Sequence, residues 1–266
     1  MFAPSPFTKT AIDAAKQAGH ILQKNFGKTH AITKKEGVQN FVTESDIQAE
    51  QTILQLLKKK YPSHGFLAEE SGCTSMMHEI TWVIDPLDGT VNFARNIPHF
   101  AVSIAAVQDS APILGVVFQP ITGELFVAER GKGAFLQGKQ ISVSSVSQSN
   151  QGLFAVGFPY NVYQNPLHCI DAVATFLHQG VPIRRLGSAA LDLAYVAHGR
   201  FDAYWETELH PWDIAAGILL VQEAGGMVSR WDNTPHPVMK KSDILASNST
   251  LHLDIAKQLR TIRGTI

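Results

Sequence analysis

The sequence predicts a layered α+β protein, and three observations support that prediction. The chain has 266 residues, of which 45% are hydrophobic and 17% charged, so it is long and apolar enough to bury a sizeable core. Apolar residues at helical spacing open the chain, and short apolar runs divided by turn-forming residues follow them. Both halves of the chain mix helical and strand-like patterns, and such mixtures fold as stacked layers.

Two helices are predicted at the start of the chain. Between residues 7 and 26, apolar side chains recur every three or four positions, and Gly27 follows as a stop signal. A second helix is predicted from near Thr43 to KKKYP, where basic residues and Pro62 are typical of a helix C-terminus. The later runs WVI, AVSIAAV, PILGVVFQ and ELFVA predict neighbouring strands, and ERGKGAF predicts a hairpin tip.

The second half of the chain alternates strand and helix signals. The polar stretch SVSSVSQSNQG predicts a border between a subdomain of residues 1–141 and one of residues 142–266, which together form one compact unit. Strands are predicted at LFAVG and FDAYWE, and helices at residues 165–179 and in GSAALDLAYVAHG. A further helix is predicted from Pro211 to the glycines at 225 and 226.

Composition argues against several classes of function. Lysine and arginine number 22 against 23 acidic residues, so there is no basic excess to bind a nucleic-acid backbone. The two cysteines, Cys73 and Cys169, are too few for a disulfide framework or a four-ligand zinc site. The chain lacks a signal-peptide pattern and the run of about 20 apolar residues that a membrane span needs. A soluble cytoplasmic protein that does not enter a membrane is therefore expected.

Acidic residues follow predicted strands or open predicted helices at four places. Each place has an ordinary structural explanation: a tight turn, a solvated loop, a capping box begun by Thr43, and an acid in a first helical turn. Together, however, they are carboxylates without a cationic partner nearby in sequence, and Mg²⁺ binds such oxygens while keeping positions for water and phosphate. The residues are Asp85 and Asp88 in WVIDPLDGT, Glu69 in LAEESG, Asp46 in VTESD and Asp213 in HPWDIAAG.

The residues after Asp88 indicate what the metal would act on. Gly89 and Thr90 precede VNFARNIP, and if that segment begins a helix, its N-terminus favours an anion such as phosphate. Metal-binding carboxylates beside an anion site indicate metal-assisted transfer of a phosphoryl group to water.

These motifs resemble those of the inositol monophosphatase family, in the family's order. The resemblance rests on WVIDPLDGTVNF, LAEESG, FVTESD and PWDIAAGILLVQEAGG, with LGSAALDLAYVAHGRFDAYWE similar to a second-half segment, and it extends over nearly the whole chain. It implies a layered α-β-α-β-α sandwich of the sugar phosphatase type. It also implies a Mg²⁺-dependent, Li⁺-inhibited phosphomonoesterase that is often a homodimer.

The resemblance implies metal ligands, residue by residue. Glu69, Asp85 and the carbonyl of Leu87 would hold one Mg²⁺ ion. Asp85, Asp88 and Asp213 would hold a second, and a weaker third ion would again involve Glu69.

The resemblance also implies catalytic and substrate-binding residues. Glu69 and Thr90, supported by Asp46, would orient and deprotonate the attacking water. Gly89 and Thr90 would bind phosphate, and Glu206, with Asp88 and Asp213, would contact the substrate.

Four positions concern the loop and rim of this site. Lys35 matches a mobile, metal-sensitive loop of the family. Asn40 stands where the family commonly has an acid, which affects loop ordering or the third ion. Glu208 and His210 also differ from the family pattern near the substrate rim, so the preferred alcohol is less defined than the chemistry.

The leading hypothesis is hydrolysis of a small sugar or polyol monophosphate, typified by myo-inositol 1-phosphate. Fructose 1,6-bisphosphate, histidinol phosphate, a nucleotide 3′-phosphate and a nicotinamide dinucleotide 2′-phosphate are alternatives on the same metal core. GSAALDLAYVAHGR and PWDIAAG resemble bacterial members that contact RNA or the transcription machinery, so a binding role with secondary catalysis stays open. A structural Ca²⁺ site is a further alternative, although the sequence contains no EF-hand loop.

Overall fold

The computed structural model of the protein describes residues 3–28, 32–34, 41–73 and 79–264. Seven α-helices lie in this part of the chain, and none of them is long and apolar enough to cross a membrane. They are α1 (Pro6–Asn25), α2 (Glu44–Lys60), α3 (Thr90–Ala94), α4 (Cys169–His178), α5 (Ala189–Ala197), α6 (Pro211–Glu223) and α7 (His252–Arg263).

The strands of the described chain form three sheets. A two-stranded sheet pairs β1 (Ile32–Lys34) with β2 (Phe41–Thr43). The eight-stranded sheet contains β3 (Gly65–Ala68), β4 (Gly72–Cys73), β5 (Ile80–Asp88), β6 (Ala101–Gln108), β7 (Ala111–Phe118), β8 (Leu125–Glu129), β9 (Gly133–Leu136) and β10 (Lys139–Ile141). Its order is β10-β9-β8-β7-β6-β5-β3-β4, and it is antiparallel except where β3 pairs with β5.

The five-stranded sheet belongs to the second half of the chain. It contains β11 (Phe154–Val156), β12 (Ile183–Arg184), β13 (Ala203–Leu209), β14 (Gly226–Ser229) and β15 (Ser242–Asn248). Its order is β12-β11-β13-β15-β14, with β11 parallel to both β12 and β13. The division into subdomains at residue 141 stays a prediction, although each large sheet lies on one side of that residue.

Side chains of the eight-stranded sheet alternate between two buried faces, as the pleat of a strand requires. On β6, Val102 and Ile104 join the core shared with α1 and α2. Ala101 and Ala105 join the core shared with α5 and α6 on the opposite face. The sheet is therefore enclosed between two pairs of helices.

The five-stranded sheet is buried in the same way. On β13, Tyr204 joins the core of α5 and α6, whereas Trp205 joins a third core with α4 and α7. The layers therefore run from α1 and α2 through the eight-stranded sheet, α5 and α6, and the five-stranded sheet to α4 and α7. The predicted α-β-α-β-α sandwich is confirmed.

Most predicted elements are present, with one clear difference in bounds. The helix predicted at residues 165–179 is α4, which begins only at Cys169 because 3₁₀ turns occupy residues 162–164 and 166–168. Asn165, Leu167 and His168 have positive φ angles, which interrupt a right-handed helix. Elements β14, β15 and α7 had no counterpart in the sequence-based prediction.

Candidate active site

A cavity of about 1030 Å³ collects most of the predicted site residues. Its walls come from both halves of the chain, because β3, β5 and α3 contribute one side and β13, α5 and α6 the other. The predicted residues that line it are Glu69, Asp85, Leu87, Asp88, Gly89, Thr90, Glu206 and Asp213, with Glu208 and His210 also on its wall. Lys35 and Asn40 lie outside the residues that the structure describes.

Glu69 and Asp85 meet because β3 and β5 are parallel neighbours. Ala68 pairs with Ile84, and the backbone N–H of Glu69 donates to the carbonyl of Ile84 at 3.2 Å. Carboxyl ends of adjacent parallel strands lie at the same edge of a sheet. Glu69, which follows Ala68, and Asp85, which follows Ile84, therefore both line the cavity.

Asp85 and Asp88 do not form the isolated tight turn that their sequence allows. Strand β5 continues to Asp88, and its pairing with β6 shifts register between Asp85, opposite Ser103, and Asp88, opposite Ala101. Such a bulge redirects side chains at a strand end. Asp85 is 2% exposed and its Oδ1 accepts the N–H of Leu87 at 2.9 Å.

Asp88 joins the first half of the chain to α5. Its Oδ2 accepts the hydroxyl of Ser188 and, at 2.8 Å, the N–H of Ala190. Burial raises the pKa of Asp88 to about 6, although these two donors oppose the shift. Ser188 was missed in the sequence, although a serine before an apolar run is a recognised helix-start signal.

Asp213 lies in the first turn of α6, behind Pro211. Its Oδ2 accepts the N–H of His210 at 2.7 Å, so the carboxylate caps the start of α6. The side chain also faces the other acids: burial, Asp88 and Glu69 together raise its pKa well above the usual range. The pKa of Asp85 is raised in the same way by burial and by Glu69, Asp88 and Asp213.

Thr90 and Asp46 contact each other beside these carboxylates. The Thr90 hydroxyl lies 3.2 Å from Asp46 Oδ1 and 3.0 Å from the carbonyl oxygen of Leu87, so its single hydrogen is within reach of either acceptor. Asp46 is fully buried in α2. Gly89 has a φ of 97°, and a Cβ there would lie 3.1 Å from the carbonyl oxygen of His99, so the turn before Thr90 requires glycine.

Glu206 projects from β13 into the other side of the cavity. The buried Tyr204 hydroxyl donates to its Oε2, and burial raises the pKa of Glu206 to about 7. Gly157 makes room for this carboxylate, because a Cβ at that position would lie 1.7 Å from Glu206 Oε2. Sequence analysis assigned no role to Tyr204 or Gly157, although Tyr204 lies in the segment FDAYWE that resembles the family.

The cavity rim combines charge and aromatic surface. Lys241 forms an ion pair with Glu208 at 3.0 Å, and the His210 ring stacks on Trp212 with centroids 4.6 Å apart. Arg185 also lines the cavity. Sequence analysis missed Lys241 and Arg185, because nothing in the local pattern of either residue distinguishes it from ordinary surface charge.

The chemistry of the donor set fits a hard divalent cation. Asp85 and Asp88 are buried, and burial together with mutual repulsion raises the pKa of Asp85 and Asp213. Among the described residues, Asp85, Asp88 and Asp213 form no ion pair with lysine or arginine, whereas acids such as Glu124 and Asp243 do. No three histidine, cysteine or acidic side chains among these residues form a compact, preassembled metal group. The donor set therefore fits a divalent cation in its charge and in the type of its ligand atoms.

Known proteins share this fold and these sequence features. Residues 3–263 match the inositol monophosphatase family. The chain is 43% identical over 255 residues to the inositol-1-monophosphatase of Caulobacter vibrioides, covering 94% of this chain and 99% of that protein. It is 42% identical over 245 residues to the Nus factor SuhB of Escherichia coli strain K12, covering 91% of each.

Structural comparison agrees with the sequence matches. The crystal structure of the extragenic suppressor protein suhB from Bartonella henselae has a TM-score of 0.91 and 36% identity, covering 98% of this chain and 100% of that chain. Because the match extends over the whole layered fold and includes the segments that line the cavity, the protein belongs to the inositol monophosphatase family.

Proposed function

We propose that the protein hydrolyses a small sugar or polyol phosphate monoester in a Mg²⁺-dependent reaction, with myo-inositol 1-phosphate as the leading substrate. The observation that carries the proposal is the convergence of Glu69, Asp85, Asp88 and Asp213 on one cavity. Membership of a phosphatase family supports the reaction class. The other phosphate esters named above remain alternatives on the same core.

Two or three Mg²⁺ ions complete the proposed site. Glu69, Asp85 and the Leu87 carbonyl would hold one ion, and Asp85, Asp88 and Asp213 a second. When bound, the metal supplies a Lewis acid that lowers the pKa of water and stabilises the departing oxygen. Cation binding also offsets the burial and the mutual repulsion that raise the pKa of Asp85 and Asp213.

Thr90 and Glu69 orient the attacking water in this proposal. A hydroxyl that donates its hydrogen to Asp46 leaves the oxygen of Thr90 free to accept a hydrogen from water. The Glu69 carboxylate then accepts the proton as general base. The backbone N–H groups of Gly89 and Thr90 donate to the phosphate oxygens.

Glu206 binds the alcohol part of the substrate. A carboxylate accepts hydrogen bonds from ring hydroxyls, and Tyr204 holds one of its oxygens in place. The ion pair of Glu208 with Lys241 and the stacked His210 ring line the same wall. These rim residues contribute to the choice among polyols.

A second candidate function is contact with RNA or the transcription machinery. The observation that favours it is the 42% identity to a protein named Nus factor SuhB. The catalytic carboxylates would then be secondary to binding. A homodimer and a cytoplasmic location, both expected from the sequence, accompany either function as predictions.

Asp88→Asn and Asp213→Asn test the metal site. Each change removes a carboxylate charge at a proposed ligand, so we expect phosphate release from inositol 1-phosphate to fall by more than about 100-fold. Release is measured with Mg²⁺ and with added Li⁺, over a panel that includes fructose 1,6-bisphosphate, histidinol phosphate and a nucleotide 3′-phosphate. Asp13→Asn, at an exposed position on α1, is the matched control.

The panel and the variants also separate the two functions. Full Mg²⁺-dependent activity in both variants would show that the metal assignment is wrong. If Asp88→Asn is inactive yet supports growth of cells that depend on this protein as well as the wild type does, the binding role gains support over catalysis.

A further inference from the structure

We propose that Glu50 is a positioning residue for Glu69. Helix α2 would then hold in place both residues that orient the attacking water, Glu69 and Thr90. The inference rests on the proposed function, because the position of Glu69 affects turnover only if Glu69 orients the attacking water. The contact that carries it, a buried carboxylate bonded to the turn after β3, is independent of that function.

Both oxygens of Glu50 bind the turn that contains Glu69. Oε2 accepts the N–H of Glu70 at 2.8 Å, and Oε1 accepts the N–H of Ser71 at 2.9 Å. Glu50 is only 3% exposed. An isolated buried charge is strongly unfavourable. The two consecutive backbone donors therefore stabilise the Glu50 carboxylate, and their loss would be costly.

This arrangement holds the backbone of Glu69 from two directions. On one side, the N–H of Glu69 donates to Ile84 in the neighbouring strand β5, next to Asp85. On the other side, the next two N–H groups donate to Glu50. The position of the Glu69 carboxylate relative to Asp85 therefore depends on Glu50 as well as on the sheet.

The same helix also contacts Thr90, the second residue proposed to orient the attacking water. Asp46 lies four residues before Glu50, so the two side chains project from one face of α2. Asp46 Oδ1 accepts the Thr90 hydroxyl. Ala49, Ile53 and Leu57 bury α2 against α1 and the eight-stranded sheet. One firmly packed helix thus connects to Thr90 through one acid and to the Glu69 turn through the other.

Glu50→Gln tests this role with little change of side-chain size. The amide keeps one acceptor oxygen and places an NH₂ donor against a backbone N–H, so one hydrogen bond is lost and the turn shifts. Because small misplacements of catalytic groups have large effects, we expect kcat to fall by about 10- to 100-fold while KM changes little. Glu44→Gln, an exposed position on the same helix with the same charge change, is the control and should retain wild-type kcat.

Two further readouts distinguish positioning from general stability. Hydrogen exchange at the amides of Glu70 and Ser71 should accelerate in Glu50→Gln, while exchange in the strands of the eight-stranded sheet stays unchanged. The rise in Tm that Mg²⁺ produces should be smaller than in Glu44→Gln. If Glu50→Gln does not fold, Glu50→Asp, which keeps the charge but shortens the reach, is expected to show the same pattern.

The proposal is overturned if folded Glu50→Gln has the kcat of the control, even with a lower Tm, or if exchange at Glu70 and Ser71 is unchanged. Failure of the proposed function has a different signature, in which the wild-type protein itself releases no phosphate from any substrate in the panel. In that case hydrogen exchange and the Mg²⁺-dependent Tm still decide whether Glu50 holds the turn.

Discussion

At the scale of single residues, the site concentrates negative charge in a place that water reaches poorly. Asp85, Asp88 and Asp213 each keep one oxygen bonded to a backbone N–H, from Leu87, Ala190 and His210 respectively. These donors stabilise part of the charge, but burial still raises all three pKa values. An apo site of this kind is destabilising, and a divalent cation would relieve it.

Gly157→Ala should impair substrate binding while leaving the fold intact. The new Cβ would occupy the position of the Glu206 carboxylate, whose flexible end moves more easily than the backbone of β11 and its following loop. Loss of charged hydrogen bonds to the polyol should raise KM for inositol 1-phosphate by about 10-fold or more. Steady-state kinetics measure KM, and a thermal melt checks the fold.

A double variant tests whether Gly157 acts through Glu206. In a Glu206→Gln background, Gly157→Ala should add little, because residues that share one contact do not have additive effects. Fully additive losses of kcat/KM would show that the two residues act separately. Gly264→Ala, where a Cβ meets nothing closer than 3.4 Å, is the control for replacing a glycine.

At the scale of elements, a buried histidine connects β14, β15 and α7. His252 is fully buried, its Nε2 lies 2.8 Å from the hydroxyl of Ser229, and its Nδ1 lies 2.8 Å from that of Ser247. Burial lowers the pKa of His252 to about 4. The ring therefore stays neutral in the folded protein throughout the mildly acidic range.

This histidine predicts a loss of stability in acid. The unfolded chain binds a proton at His252 below its ordinary pKa of about 6.5, whereas the folded chain does so only near pH 4, so stability falls between these values. The difference in unfolding free energy between wild type and His252→Gln should shrink by about 3 kcal/mol from pH 7 to pH 4. Urea titrations at several pH values measure it, and the titration of the other groups cancels in the difference. A difference that does not change with pH would contradict the prediction.

At the scale of the whole molecule, the site is assembled across the layered fold. Glu69 follows β3, and Asp85 and Asp88 lie in β5 of the eight-stranded sheet, whereas Glu206 and Asp213 come from the second half of the chain. Helices α5 and α6 contribute to the core against both large sheets, so they bring the two groups of acids to one cavity. A metal ion bound there would connect the two halves.

Mg²⁺ should therefore stabilise the entire protein. A ligand that binds only the folded state adds about 2.7 kcal/mol when its concentration is 100 times its Kd, and Tm rises with concentration. Thermal melts over a series of Mg²⁺ concentrations measure the effect, with Asp213→Asn reducing it and Asp13→Asn leaving it unchanged. Equal rises in Tm for the wild type, Asp213→Asn and Asp13→Asn would show that the stabilising ion binds elsewhere. A larger rise in Tm with Ca²⁺ than with Mg²⁺ would favour the alternative of a structural calcium site.

The sequence by itself determined the family and the layered architecture that membership implies, and it predicted the acids of the site. It also determined α1, α2, α6 and the strands from β5 to β8, because periodic apolar residues and terminal Pro and Gly act on the chain locally. The start of α4 was harder to predict from the sequence, since the left-handed residues before it, such as Leu167, have no strong local sequence signal.

Only the tertiary structure decided which side chains meet. Parallel pairing of β3 with β5 brings Glu69 beside Asp85, and packing of α5 against the first half gives Asp88 its donors. The roles of Glu50 and Gly157 also depend on contacts with distant segments. The physical reason is that a pattern of residue types constrains nearby backbone, whereas the distance between two elements is set by how their buried faces pack.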